Sequence, residues 1–336
     1  SLASKESTYE LIFRRLQYVG SHVASYIVQR AAGVPKLTYL LRTSPIFKSG
    51  AQLSRLDNMF TSCFESILKT SLSGGALIQL SLPTSMGGFG IPTPSNVALP
   101  AFAASCHASE AEVFDILGNR AVRISLCDEA IAEFTAKYGS IPQLEDRDTQ
   151  SKWTKIASEA IMSSLRLQHS DSETDTIRLV NASIPESGWW LQAMPSRNIG
   201  TLLNDRDFIL AACLRLGLPL SQECLCPCGV TVDRFGLHRL SCNSLASGRL
   251  ARHAAINDLL SKALRQAGVA NSKEPRNLSA DDGLRPDGIT HEPWSRGRQL
   301  IWNATIRDSF AASNNRSIAR SIQAVATKAK QKKNTE

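Results

Sequence analysis

Apolar positions at helical spacing dominate the first two-thirds of the chain. Leu11, Ile12, Leu16, Val19 and Val23 recur three or four residues apart, and Leu53, Leu56, Phe60, Phe64, Ile67 and Leu68 repeat the stripe. Such spacing lines up apolar side chains on one face of a helix, so both stripes are predicted core faces. Gly33 and Pro35 punctuate the interval, ahead of a short segment at 36–42. From residue 80 to 94 the pattern breaks. Pro83, Gly87, Gly88, Gly90, Pro92 and Pro94 predict a loop or short hairpin there. Helical spacing then resumes over about 97–117, 128–138, 148–168 and 205–216, with no internal repeat.

After Leu216 the texture changes. A cysteine-rich turn region at 223–243 leads into an amphipathic helix at about 247–267, with Leu250, Ile256, Leu259, Leu260 and Leu264 expected to face inward. A polar loop follows, then two strand-like runs, 285–291 and 299–306, joined by the turn-rich Pro293-Trp294-Ser295-Arg296-Gly297. A basic helix is expected from about 316 to 333. The fold class this predicts is α+β, mainly helical in its first two-thirds.

A length of 336 residues with 43% hydrophobic content supports two or three domains with real cores. No run of about 18 apolar residues is present to span a bilayer, and the first residues lack the layout of a secretory signal, so a soluble, intracellular protein is expected. The chain opens on Ser1 and enters a helical pattern at once, which reads as a cut inside a longer protein. Charge is placed unevenly. From Arg239 onward there are 17 Lys/Arg against 8 Asp/Glu, whereas the preceding 238 residues hold 21 against 22. An excess so confined fits a polyanionic partner, because neutralising phosphates releases counterions; a solvated basic surface fits it equally.

Cys63, Cys106, Cys127 and Cys213 are scattered and read as buried free thiols; a disulfide scaffold is not expected in so long a chain without an export signal. Cys224, Cys226, Cys228 and Cys242 crowd together instead. Cys226-Pro227-Cys228-Gly229, with His238 and Cys242, spells C-x-C-x9-H-x3-C. Two thiolates on a tight turn and a His/Cys pair one helical turn apart can close a tetrahedral zinc site, with Gly229 and Gly236 supplying the turns. Four protein ligands make the site closed and structural. Cys224 competes for a ligand position, and His253 reads as a contact to phosphate or to the core.

A second constellation follows. Asp287, in Arg285-Pro286-Asp287-Gly288, opens the first strand-like run, and the second run carries Ile301-Trp302-Asn303-Ala304-Thr305. Metal-dependent phosphodiester cleavage needs converging carboxylates on a divalent cation and a lysine near the attacked phosphate. Asp287 suits the first carboxylate, Asn303 stands where the second is wanted, and Glu274 offers a further oxygen. A Pro-Asp dipeptide also serves simply as a turn at a strand end.

These residues, with Asp233, Leu240, Arg252-His253, Asn257, Glu274-Pro275, Pro293-Trp294-Ser295-Arg296-Gly297-Arg298 and Leu300-Ile301-Trp302, closely resemble in order and spacing the carboxy-terminal part of non-LTR-retrotransposon-like reverse transcriptase proteins. The match spans about 110 residues. In that group a CCHC zinc knuckle precedes a restriction-like endonuclease of the PD-(D/E)xK kind. Upstream, Pro35-Lys36-Leu37, Tyr39-Leu40-Leu41-Arg42, Pro45, Leu56-Asp57, Gly87-Gly88-Phe89-Gly90-Ile91 and Ala98-Leu99-Pro100-Ala101-Phe102 resemble the thumb and post-polymerase region; the palm with its paired aspartates is absent.

The resemblance implies thumb-like helices at 1–75, a helical linker region at 76–222, a zinc knuckle at 223–246 and an incomplete, small α/β restriction-endonuclease-like module at 247–336. It assigns structural Zn2+ to Cys226, Cys228, His238 and Cys242, and catalytic positions to Asp287, Asn303 and Glu274, with Lys330 and Lys333 as the lysine on a following helix. Mg2+ or Mn2+ would serve an active nuclease. Arg252, His253, Arg285, Arg296 and Arg298 are the expected nucleic-acid contacts. The implied partners are DNA, the element's RNA and the upstream palm, with no membrane, and action on genomic DNA implies the nucleus. Two functions compete: a target-site endonuclease, active or decayed through Asn303, and a non-catalytic zinc-dependent DNA/RNA-binding module. A purely structural helical scaffold leaves the basic end and the cysteine spacing without a purpose.

Overall fold

A computed structural model describes residues 2–117, 125–147, 149–242, 246–275, 285–306 and 310. The chain divides into two compact units, Ser1–Leu220 and Ser221–Glu336. The fold is α+β, with the helices concentrated in the first unit and two small antiparallel sheets in the second. Among the described residues no helix is long and apolar enough to cross a membrane.

The first unit runs α1 (Leu2–Leu16), α2 (Ser21–Ile27), α3 (Thr38–Thr43), α4 (Gly50–Leu68), α5 (Gly74–Ser81), α6 (Pro94–Leu117), α7 (Ser125–Tyr138), α8 (Gln150–Gln168), α9 (Glu173–Ala182), α10 (Trp189–Gln192) and α11 (Asp205–Leu216). The predicted stripe of α4 is buried along its whole length and serves two cores. Leu53, Leu56 and Phe60 join Tyr9, Leu41, Phe102, Phe134 and Trp153, whereas Cys63, Phe64, Ile67 and Leu68 join Phe89, Phe208 and Leu216. Helices from both sides of residue 75 therefore contribute to each core. α5, α9 and α10 have no counterpart in the sequence reading: α5 leads into the glycine-proline segment, its last residues overlapping the 80–94 stretch expected as a loop or hairpin, and α9 and α10 fill the interval between the helices expected at 148–168 and 205–216. The start of α9 has a local signal: the Ser172 hydroxyl accepts from the Asp175 N–H at 3.2 Å, satisfying one of the donors that a helix start leaves free.

The Gly87–Ile91 loop is held from within. Gly87 and Gly90 adopt φ of 89° and 75°, and a Cβ on Gly88 would lie 2.0 Å from the Leu82 carbonyl oxygen. Arg215, buried on α11, anchors this loop. Its Nε donates to the Gly88 carbonyl at 3.0 Å, Nη1 to the Ser187 carbonyl and hydroxyl at 3.1 and 3.2 Å, and Nη2 to the carbonyls of Thr84 and Ala182 at 3.0 and 3.1 Å. Burial pulls the guanidinium down to about 10, which still leaves it charged at neutral pH.

Cys106 and Cys127 form a disulfide between α6 and α7, their Cα atoms 5.7 Å apart. This corrects the free-thiol expectation for that pair; Cys63 and Cys213 are buried and free. Spacing along the chain says nothing about two helices folding back on each other.

His22 on α2 is buried. Its Nδ1 accepts from the Leu203 N–H at 3.1 Å, and its ring stacks on Phe208 with centroids 5.0 Å apart. Nε2 has no hydrogen-bond partner among the described residues, and burial lowers the pKa. Because the unfolded chain then takes up the proton first, stability is full above the ordinary histidine pKa of about 6.5 and declines as pH falls below it. Denaturant midpoints at pH 7.5 and 5.5 should show a decline in the native chain and a smaller one in His22→Gln; equal declines would assign the effect elsewhere.

The second unit contains β1 (Cys224–Leu225), β2 (Thr231–Val232), α12 (His238–Ser241), α13 (Ala246–Gln266), β3 (Asn271–Lys273), β4 (Gly288–Ser295) and β5 (Arg298–Trp302). β1 pairs with β2, and β3-β4-β5 form an antiparallel sheet in the register Lys273↔Gly288↔Trp302. β3 falls where a polar loop was expected. The hairpin turn is tighter than expected: β4 runs through Pro293 to Ser295, leaving Arg296 and Gly297 at φ of 50° and 73°, the handedness that suits a two-residue hairpin turn. Pro293 is tolerated because β3 pairs only with residues up to Thr290, so β4 has an open edge beyond it.

The facing of α13 also departs from expectation. Ile256, Leu259 and Leu260 are exposed, Leu264 is half-buried, and Asn257 and Ser261 are the buried residues; the placement of Leu250 is not described. His253, Asn257 and Ser261 lie four residues apart, so the face directed at the sheet is a polar one that hydrogen-bonds.

Candidate functional site

The Cys226, Cys228, His238 and Cys242 side chains converge, their ligand atoms all within 4.8 Å of one another. Local geometry produces this. The Cys226 N–H donates to the Val230 carbonyl at 2.9 Å and the Gly229 N–H to the Cys226 carbonyl at 2.8 Å, with Gly229 at φ 87°, which closes a tight turn carrying two thiols. Gly236, at φ 69°, admits α12, and the Cys242 N–H returns to the His238 carbonyl at 2.9 Å. Cys226 Sγ lies 3.5 Å from Cys242 Sγ, and Cys228 Sγ lies 3.1 Å from His238 Nε2.

Atoms bonded at 2.0–2.3 Å to one tetrahedral centre are about 3.3–3.8 Å apart, so the cluster can hold a metal ion such as zinc with little adjustment. The thiol of Cys226 shows what the ion would relieve. A backbone hydrogen bond from Cys228 lowers its pKa, but burial and the neighbouring Cys228 and Cys242 thiols outweigh that and raise it. Among the described residues the core at this site is Cys226, Val232 and Cys242 with Cys224 and Cys228 packed against it, too little to order the turn alone. Cys224 lies outside the cluster; its sulfur accepts from Arg239 Nη2 at 3.3 Å.

Asp287 heads β4 and is buried. Its carbonyl accepts from the Glu274 N–H and from Asn257 Nδ2, both at 2.9 Å, while its N–H donates to the Trp302 carbonyl at 3.1 Å. Asn257 Oδ1 in turn accepts from Trp302 Nε1 at 2.8 Å. Only glycine fits at 288, since a Cβ there would lie 1.9 Å from the Trp302 ring. Carboxylate oxygen Oδ2 accepts the Ala304 N–H and lies 3.2 Å from His253 Nε2. Extending the register by one residue puts Glu274, Asp287 and Asn303 in one row across the three strands. Position in the row does not make the side chains converge. Glu274 sits at φ 47°, and its exposed carboxylate is 3.2 Å from Arg285 Nη2. Asn303 is exposed and has an interaction of its own. Lys330 and Lys333 lie outside the described residues.

The expected nucleic-acid contacts are placed unevenly. Arg296 and Arg298 are exposed at the hairpin tip. Arg285 also donates to the Glu274 carbonyl at 2.8 and 2.6 Å, and Arg252 is half-buried, with its guanidinium on the Leu240 carbonyl. His253 is directed at Asp287. The spacing of the sequence left His253 between phosphate and core; its place four residues before Asn257 was the available clue, because both then share a helix face. Neither a family model nor a curated protein matches the chain.

Proposed function

We propose that this chain is part of a retroelement protein of the reverse-transcriptase type, in which the second unit combines a structural zinc knuckle with a restriction-endonuclease-like module directed at DNA. The supporting observation is a single juxtaposition: a Cys3His cluster is followed by a helix and hairpin in which buried Asp287 is fixed by Asn257, Trp302 and Ala304, with Asn303 opposite it in register. Three thiolates and an imidazole in a closed tetrahedral cage are a donor set that zinc favours, which makes the ion structural. The resemblance of the upstream helices to a thumb region supports a role for the first unit near primer and template.

A non-catalytic DNA/RNA-binding role is the second reading, and Asn303 favours it. Its amide oxygen is a poor substitute for a carboxylate on a hard cation. Loss of one electrostatic group of this kind costs ~10² to 10³ in rate, so the native chain should nick supercoiled plasmid very weakly in Mg2+. Asn303→Asp should raise nicking, and adding Asp287→Ala should abolish the gain. Binding should weaken steeply with salt, and Arg296→Ala with Arg298→Ala should flatten the log-log slope by about 2. Robust nicking by the native chain would remove Asn303 from the site, and salt-insensitive binding would remove the phosphate interface.

A further inference from the structure

We propose that His253 and Asp287 together hold a first-row transition-metal dication, of which Mn2+ is the mildest, in preference to Mg2+; this rests on reading Asp287 as a metal-binding carboxylate. His253 Nε2 and Asp287 Oδ2 are 3.2 Å apart. Ligands on adjacent corners of an octahedron with bonds of 2.0–2.1 Å are about 3 Å apart, so an ion can replace the shared proton without moving either element. Both side chains are already aimed. Asp287 is fixed at its backbone by Trp302, Glu274 and Asn257, and Asn257 sits one turn along α13 from His253. The exposures differ, 12% for the Asp287 side chain and 36% for His253, so the pair opens to water on the histidine side, where further corners can take water or phosphate oxygen. Asp287 Oδ1 takes no hydrogen bond among the described residues.

The donor set selects the ion. Mg2+ requires hard oxygen donors and gives up water reluctantly, and it is weakly served by one carboxylate beside an imidazole and, at the row's end, the neutral Asn303. Imidazole nitrogen binds first-row transition ions readily. An ordinary His-Asp hydrogen bond would produce the same separation, and metal titration separates the two.

The experiment is a Mn2+ titration of the full zinc-loaded chain, followed by electron paramagnetic resonance of the free ion. Mn2+ stands low in the affinity order and leaves the thiolate site to zinc. One Mn2+ should bind per chain, and about a tenfold excess of Mg2+ should not displace it. His253→Ala should weaken binding by roughly 10- to 100-fold. His253→Glu, which supplies a second carboxylate from the same helical position, should let Mg2+ compete at similar concentration. No Mn2+ binding, binding unchanged in His253→Ala, or an unaltered preference in His253→Glu would each overturn the proposal. Loss of DNA binding with Mn2+ binding intact would refute the function proposed above and leave this site standing; the reverse pattern would refute this site alone.

Discussion

Removing the metal from the Cys226, Cys228, His238 and Cys242 cluster should unfold the segment from β1 through α12 while the first unit stays folded. Zinc held by such a ligand set contributes an apparent ~10–16 kcal/mol at neutral pH, far more than the few buried atoms of this segment can offer. Among its described side chains Cys226, Val232 and Cys242 form the core, with Cys224 and Cys228 packed against it. Hydrogen exchange before and after chelation should show the Cys226 and Cys242 amides, hydrogen-bonded to Val230 and His238, losing protection, while amides of α4 and α11 keep theirs. Cys228→Ser should lower metal content well below one equivalent with the same local loss. Protection that survives chelation would mean that the cluster is a set of reduced thiols that packs without an ion.

Arg215→Met should destabilise the first unit by about 3 kcal/mol. The guanidinium donates to the carbonyls of Gly88, Ser187, Thr84 and Ala182; Thr84 and Ala182 also accept from the Gly87 N–H and the Ser187 hydroxyl, so the carbonyls of Gly88 and Ser187 lose their donor, and an acceptor left without one costs about 1–3 kcal/mol. Arg215→Lys should recover little, because an ammonium cannot reproduce the planar fork that spans these separate carbonyls. For a unit of this size the loss lowers the melting temperature by roughly 6–12 °C. Thermal and denaturant unfolding of both variants would test this, and a change under about 0.5 kcal/mol would show that water or rearrangement satisfies those carbonyls. The cause is specific: beside the Phe89–Phe208 ring contact, this side chain supplies hydrogen bonds that tie α11 to the glycine loop and to the end of α9.

The helices of the first unit were legible because burial of α4 follows its own periodicity. Leu53, Leu56, Phe60, Phe64 and Ile67 must share a face wherever that helix packs. The cysteine-histidine cluster was legible for a related reason. Its ligands come from a turn and a single helical turn, so spacing in sequence is nearly spacing in space. Asp287 was recognisable as a candidate from Pro286-Asp287-Gly288, but nothing local reveals that it is buried or what holds it.

What the sequence determined by itself, then, is the set of elements whose geometry closes within about twenty residues: the long helices, the metal-ligand turn and the β4-β5 hairpin. Tertiary structure decided the rest. The apolar stripe of α13 predicts Ile256, Leu259 and Leu260 inward, yet the helix presents His253, Asn257 and Ser261 to the sheet, because Asp287, Trp302 and Asn271 supply hydrogen-bond partners that periodicity cannot anticipate. Cys106 meets Cys127 only when α6 and α7 fold back on each other. Arg215, near the end of α11, is buried because four carbonyls from two distant segments, 84–88 and 182–187, converge on it. In each case the deciding energy lies in a contact between residues far apart in the chain, and hydrophobic patterning records only how each segment divides itself between water and a core.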